Sequence, residues 1–227
     1  DTYSGLVFIN PGLGSQHKKP EFRTISNIAC SHGYVAISFD PTHSFGESDG
    51  LYEDATFTNH YEDLEDVIQW ASINLDSEIR KKVYVEPFIL VGHSLGGMSV
   101  AFFTENHPEK VKAVAPLSMT ISGALSIEAR QPEEIQEWKE KGFQIRRRSS
   151  GAEIRLKWSH MEDRLKYNLL DCAPNVHVPL LMIVGEDDPV TPPRHQKLFF
   201  DAVRTPDVEK EMHVIPGAGH ELGKSDV

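Results

Sequence analysis

Gly92-His93-Ser94-Leu95-Gly96, with Gly97 behind it, sets a serine between glycines at a spacing that can present its hydroxyl as a nucleophile. The motif directly follows the apolar run Phe88 to Val91 and directly precedes the helix-compatible run Met98 to Asn106. That strand–turn–helix context separates it from a plain glycine-rich connection. The serine then sits in a strained turn above the sheet edge, and small residues at Gly92 and Gly96 let the two backbones approach closely. The helix after Ser94 aims N–H groups and its positive dipole end at developing negative charge. A serine hydroxyl needs a base to remove its proton, and the base needs an orienting carboxylate. The chain supplies both, in the order Ser…Asp…His. Gly185-Glu186-Asp187-Asp188-Pro189-Val190 comes after the apolar run Leu180 to Val184, and Pro216-Gly217-Ala218-Gly219-His220 comes after Met212 to Ile215. Local chemistry alone leaves Asp187 and Asp188 both open as the acid.

These segments need a frame that brings three strand ends together. Six apolar runs of strand length supply it: Leu6 to Ile9, Tyr34 to Phe39, Phe88 to Val91, Val111 to Leu117, Leu180 to Val184 and Met212 to Ile215. Continuous rather than alternating hydrophobicity predicts strands covered on both faces, as in a mostly parallel sheet. Helical patterns lie between them. Tyr61, Leu64, Val67, Ile68 and Ala71 share one face, with Glu62, Asp63, Glu65 and Asp66 opposite; Phe22 to Ala29 and Arg194 to Val203 read similarly. Carboxylate and imidazole just past parallel strand ends fall at the edge where open α/β sheets bind ligands. Between about Thr120 and Asn175 the rhythm breaks, with no convincing strand. Pro132 to Phe143 there reads as a helix, with an early proline, a Glu-rich first turn and Gly142 near its end.

Composition bounds the function. The 227 residues carry 23 Lys+Arg against 34 Asp+Glu, a net charge of −11. That balance argues against a nucleic-acid partner, and no apolar run is long enough for a membrane span. Cys30 and Cys172 are too few for a disulfide framework, and two buried, reduced thiols are expected. His17, His43, His60 and His160 lack metal-ligand spacing, so neither metal nor cofactor is implied. His93 is expected to pack beside the serine turn; Arg146-Arg147-Arg148 could meet an acidic substrate group, but a charge run of this kind is expected to be a solvated face. The chain opens at Asp1, which leaves room for a targeting segment ahead of it; the cytoplasm is the expected location.

From Leu6 to His220 the sequence resembles an α/β-hydrolase-fold serine esterase. The resemblance rests on Gly92 to Gly97, on Gly185-Glu186-Asp187-Asp188-Pro189-Val190-Thr191-Pro192, on Gly217 to His220, and on Asp40 through Gly46-Glu47-Ser48-Asp49-Gly50. Ser31-His32-Gly33-Tyr34 through Gly50 is most similar to small bacterial carboxylesterases, including the feruloyl and cinnamoyl esterase group. The resemblance implies Asp188 as the acid, being the fourth residue counted from Gly185. It implies an oxyanion hole from the N–H groups of Leu95 and, in the loop Asn10-Pro11-Gly12-Leu13-Gly14-Ser15, of Leu13. Many members have His-Gly where this chain has Pro11-Gly12, so the histidine's bonding within that loop is lost. The family usually has further strands before this loop and a helix after the histidine. Different edges here would expose the sheet and leave a homodimer open.

The expectation is therefore an α/β-hydrolase core over residues 1–119 and 176–227, a mostly parallel sheet flanked by helices, with a small helical cap at 120–175. The expected partner is a small-molecule ester, cleaved by Ser94, His220 and Asp188 through an acyl-enzyme. Trp158, Met161 and Phe143 are either an aromatic pocket lining or the cap's own core. A thioesterase or acyl-peptide hydrolase with the same residues is the near alternative. A non-catalytic binding module is the remote one, because such modules commonly lose a member of the set.

Overall fold

The computed structural model describes residues 3–75, 82–83, 86–147 and 151–223. Five strands at the expected places, β1 (Gly5–Asn10), β2 (Tyr34–Ser38), β3 (Phe88–His93), β4 (Val111–Leu117) and the later β7 (Leu180–Gly185), join β8 (Lys210–Ile215) in one sheet. Its order is β2-β1-β3-β4-β7-β8, and every neighbouring pair is parallel. The apolar run of β1 is continuous because both its faces are covered, whereas the edge strand β8 leaves Val214 and Ile215 exposed. Leu6 and Phe8 of β1 point into a large core with Leu90, Val114, Leu180 and Met182, while Val7 and Ile9 point the other way with Val91 and Leu117. Helices α2 (Phe57–Asn74), α3 (Leu95–Asn106) and α7 (Pro193–Ala202) cover the first face; α1 (Pro20–Ser31) covers the second through Phe22, Ile25 and Ala29. No helix among the described residues is long and apolar enough to cross a membrane.

The buried face of α2 differs from the expected one by a small rotation. Phe57, His60, Leu64, Ile68 and Ala71 are buried, whereas Tyr61 and Val67 flank them half-buried. His60 is tolerated there because its Nδ1 finds the Ser99 hydroxyl at 3.3 Å. Cys30 and Cys172 are free thiols, as expected, but both are exposed, so the expectation of burial is corrected. Since α1 turns Phe22, Ile25 and Ala29 toward the sheet, Cys30 at its far end falls on the outer side.

Between β4 and β7 lie α4 (Gly123–Glu128), α5 (Pro132–Lys141), β5 (Phe143–Arg147), β6 (Glu153–Lys157) and α6 (Ser159–Arg164). The expected helix is present as α5, with Pro132 in its first turn and Gly142 ending it in the left-handed region at φ 74°. The absence of strands is corrected, because β5 and β6 pair as an antiparallel hairpin with Phe143 opposite Lys157 and Arg147 opposite Glu153. Its signal was the two-residue alternation of Ile154 and Leu156 between Glu153, Arg155 and Lys157, which is a strand period rather than a helical one. Trp138, Leu156 and Met161 form a small core of this segment, joined by Trp158 and by Leu13 from the sheet side. Asp163 ties α6 to the start of α2, accepting from the Thr58 N–H at 2.8 Å and the Thr58 hydroxyl at 2.7 Å. A carboxylate at that helix N-terminus is favoured by the dipole as well.

One buried group works against the core. Glu105 on α3 is 2 % exposed, and neither carboxylate oxygen has a hydrogen-bond partner among the described residues. Burial, and secondarily the charge of Asp171, pushes its carboxyl up to about 9 from the ordinary 4.5. The folded chain therefore keeps a proton that the unfolded chain releases, and stability held below about pH 4.5 is lost as pH rises toward 9. The loss at neutral pH is on the order of 3 kcal/mol. Glu105→Gln should be more stable than the parent chain at about pH 8 and no more stable at about pH 4.5, as read by denaturant unfolding. Parallel pH profiles for the two proteins would rule out this carboxyl as the cause.

Candidate active site

Ser94 occupies the sharp turn between β3 and α3 at φ 55° and ψ −114°. A non-glycine residue in that region costs roughly 1–3 kcal/mol and persists only where its surroundings fix it. They do. The Ser94 N–H donates to the Leu117 carbonyl at 2.9 Å, and its own carbonyl accepts from the Met98 and Thr120 N–H groups at 3.1 Å each. The flanking glycines are sterically required: a Cβ on Gly92 would lie 2.2 Å from the Gly96 carbonyl oxygen, and one on Gly96 would lie 2.1 Å from that of Asn10. The same contact brings the loop after β1 against the start of α3.

The three chemistry-bearing side chains meet at the carboxyl edge of the sheet. His220 Nε2 lies 2.9 Å from Ser94 Oγ, and His220 Nδ1 lies 2.9 Å from Asp188 Oδ2. Asp188 is the buried member of its pair, 3 % exposed, while Asp187 faces solvent. Asp188 Oδ1 accepts from the N–H groups of Val190 at 2.8 Å and Thr191 at 2.9 Å. The Thr191 hydroxyl lies 2.8 Å from Asp188 Oδ2 and 2.9 Å from the Ser118 carbonyl, so its one proton serves either. Burial alone would push the Asp188 carboxyl up. The hydrogen bond and charge of His220, with the Thr191 donors, outweigh it and hold the carboxyl down at about 2.

Leu95 and Leu13, the expected oxyanion donors, lie in segments that touch Ser94. Leu95 opens α3, so its N–H has no acceptor within the helix. Gly12 packs on the serine, since a Cβ there would lie 3.0 Å from Ser94 Cβ, and Leu13 lines the same cavity as Ser94. Among the described residues neither N–H has a hydrogen-bond partner. His60 of α2 lies beneath this loop, where the Pro11 and Gly12 carbonyls favour its charged form. Burial outweighs them and holds its pKa down at about 4.

His93 does more than pack. Its Nε2–H donates to the backbone carbonyl of His220 at 2.9 Å, clamping the imidazole-bearing turn to the end of β3. Burial, then the neighbouring His220, lowers its pKa and keeps it neutral. Glu186 supports the same turn, accepting from the Gly217 N–H at 3.0 Å. Neither role carries a sequence motif; only position beside the serine and the acid marked them.

A cavity of about 790 Å³ opens above Ser94 and His220. Trp138, Phe143 and Ile145 form much of its apolar wall. Phe143 is therefore a lining residue, whereas Met161 and Trp158 belong to the segment's own core. The arginine run divides: Arg146 faces the cavity, Arg147 pairs with Glu153 in solvent at 3.1 Å, and Arg148 lies outside the described residues. Among the described residues no group of three or more His, Cys, Asp or Glu side chains could hold a metal ion. A hydroxyl, an imidazole and a buried carboxylate in line at the floor of a cavity are equipped for acyl transfer.

The model of the prolyl oligopeptidase family matches residues 20–227. The mitochondrial palmitoyl-protein thioesterase ABHD10 of Mus musculus is 25% identical over 208 residues, which is 90% of this chain and 65% of that protein. This chain thus spans just under two thirds of that relative's length. In fold it is similar to Est1E from Butyrivibrio proteoclasticus, solved with ferulic acid bound, at a TM-score of 0.76 and 20% identity over 96% of this chain and 82% of the other. It is equally similar to alpha/beta hydrolase domain-containing protein 10 from mouse, at 0.76 and 22% over 97% and 84%.

The His93 clamp is open to direct test. His93→Phe keeps ring volume and removes the donor to His220. Labelling of the protein by a fluorophosphonate should slow about ten- to a hundredfold, with the unfolding midpoint little changed. An unchanged labelling rate would show that Asp188 and Thr191 hold the imidazole without it.

Proposed function

This chain belongs to the prolyl oligopeptidase family, and from that premise we propose that it hydrolyses carboxylic esters of small molecules through Ser94, His220 and Asp188. The observation that carries the reading is the unbroken pair of 2.9 Å contacts from Ser94 Oγ through His220 to Asp188. His220 Nε2 takes the hydroxyl proton as Ser94 Oγ adds to the ester carbonyl carbon. The N–H groups of Leu95 and Leu13 hold the oxygen that becomes negative, where fixed dipoles act without reorganising. The tetrahedral adduct collapses, the C–O bond to the alcohol breaks, and the imidazolium returns its proton to that alcohol. Water, deprotonated by His220 in turn, releases the acid and restores Ser94. Asp188, ionised far below neutral pH, fixes the Nδ1–H tautomer and steadies the imidazolium. No step calls for a cofactor.

Residues 120–175 act in this reading as a cap over the core formed by 1–119 and 176–227, with the hairpin and α5 closing the cavity from above. A cavity of about 790 Å³ suits a small substrate better than a folded polypeptide. Thioester cleavage is the second reading; it uses the same residues, and the name of the curated mouse relative speaks for it.

Ser94→Ala should abolish turnover of p-nitrophenyl acetate with the fold intact. Asp188→Asn should lower kcat by roughly a thousandfold or more, because the imidazole loses its tautomer. Steady-state kinetics on matched oxygen-ester, thioester and amide substrates checks the class. Retained activity in Ser94→Ala would remove Ser94 from the mechanism, and faster thioester than ester turnover would favour the second reading.

A further inference from the structure

Three arginines face the cavity above Ser94: Arg130 from the turn between α4 and α5, Arg146 from β5, and Arg164 at the end of α6. They come from separate parts of the chain and crowd one another. Burial, then the charge of Arg146, lowers the pKa of Arg130; burial, then Arg146 and Arg130, brings that of Arg164 down to about 9. Arg164 is only 8 % exposed. Its position is fixed from behind. The Nδ1–H of His160 donates to the Ala55 carbonyl at 2.8 Å, which leaves His160 Nε2 to accept from Arg164 Nη2. Ser126 Oγ lies 3.4 Å from Nη1, and Arg164 Nε has no hydrogen-bond partner among the described residues.

The other charges of the wall do not neutralise this cluster. Lys19 pairs with Glu221 at 3.2 Å, and Lys141 pairs with Glu137. Glu134 lies near enough to favour the charged form of Arg130, and Asp163 does the same for Arg164 while bound to Thr58 and Lys166. Among the described residues none of the three guanidiniums forms an ion pair with a carboxylate. Arg130 instead lies over the Trp138 ring, 5.6 Å from its centroid. Crowding like charges in a partly dry cavity is unfavourable unless an anion joins them. Guanidinium forks match carboxylate and phosphate oxygens in geometry and charge. A chain of net charge −11 thus keeps this one wall cationic.

Resting on the hydrolytic reading of the site, we infer that the substrate carries a compact oxyanion, a carboxylate or a phosphate, which docks among Arg130, Arg146 and Arg164 while its ester carbonyl meets Ser94. This subsite sets which esters are cleaved and takes no part in bond breaking.

The test compares p-nitrophenyl esters of a six-carbon diacid whose far end is a free carboxylate, a methyl ester or, in a matched compound, a phosphate. The parent chain should prefer an anionic end by about tenfold or more in kcat/KM, mostly through KM. Arg146→Gln, at a half-buried position that leaves the fold little disturbed, should shrink that ratio toward one, with Arg130→Gln as an independent second variant. Whichever anion is preferred identifies the group. Equal turnover of all three, or a ratio unmoved by both variants, would overturn the subsite while leaving ester hydrolysis standing. Should no ester turn over, calorimetry with Ser94→Ala and monomethyl adipate decides separately. Binding weakened by Arg146→Gln supports the subsite, and absence of binding refutes it.

Discussion

Everything at this site hangs on a backbone held where a serine would not rest unaided. Ser94 stands at φ 55°, and the turn survives because hydrogen bonds fix it on both sides: its N–H to Leu117 and its carbonyl to Met98 and Thr120. The absence of side chains at Gly92 and Gly96 lets β3, α3 and the loop after β1 occupy the same few ångströms. One local strain thereby sets the height of the hydroxyl and brings the Gly12–Leu13 loop against it.

The sheet then works as a ruler. Parallel strands end on a common edge, so residues just past β3, β7 and β8 meet although more than a hundred positions separate the first from the last. On that edge the protein sorts its charges by burial and partner. Asp188 is buried yet ionised because the His220 imidazole and the N–H groups of Val190 and Thr191 converge on it, whereas burial, helped by neighbouring cations, lowers the pKa of His60, His93 and His160 and keeps them neutral. Neutral imidazoles can then serve as struts around the site, and the charge is concentrated in the carboxylate beside His220 and the arginines of the cavity wall.

The sheet was legible in the sequence because strands covered on both faces, such as β1, leave unbroken apolar runs; the edge strand β8, interrupted by His213 and half open to solvent at Val214 and Ile215, shows a weaker one. Ser94, His220 and the acidic segment were legible because they come directly after those runs. Choosing Asp188 over Asp187 required family resemblance; the structure shows why, since only the Val190–Thr191 turn decides which carboxylate points inward. Less visible were contacts between distant elements. His93 reads as packing until the His220 carbonyl is placed beside it. Arg130 and Arg164 carry no motif, and their convergence with Arg146 depends on how α4, α5, α6 and the hairpin fold back. The hairpin was missed because charged residues alternate with Ile154 and Leu156, a pattern that is amphipathic in either period over so short a span.

The most direct measurement is to quench the protein within milliseconds of mixing with p-nitrophenyl acetate and to map the acetylated peptide by mass spectrometry. The account predicts a burst of nitrophenol matched by one acetyl group on Ser94, lost on standing as water regenerates the enzyme. An acetyl group on another residue with Ser94 unmodified, or turnover with no covalent intermediate at any time, would contradict it.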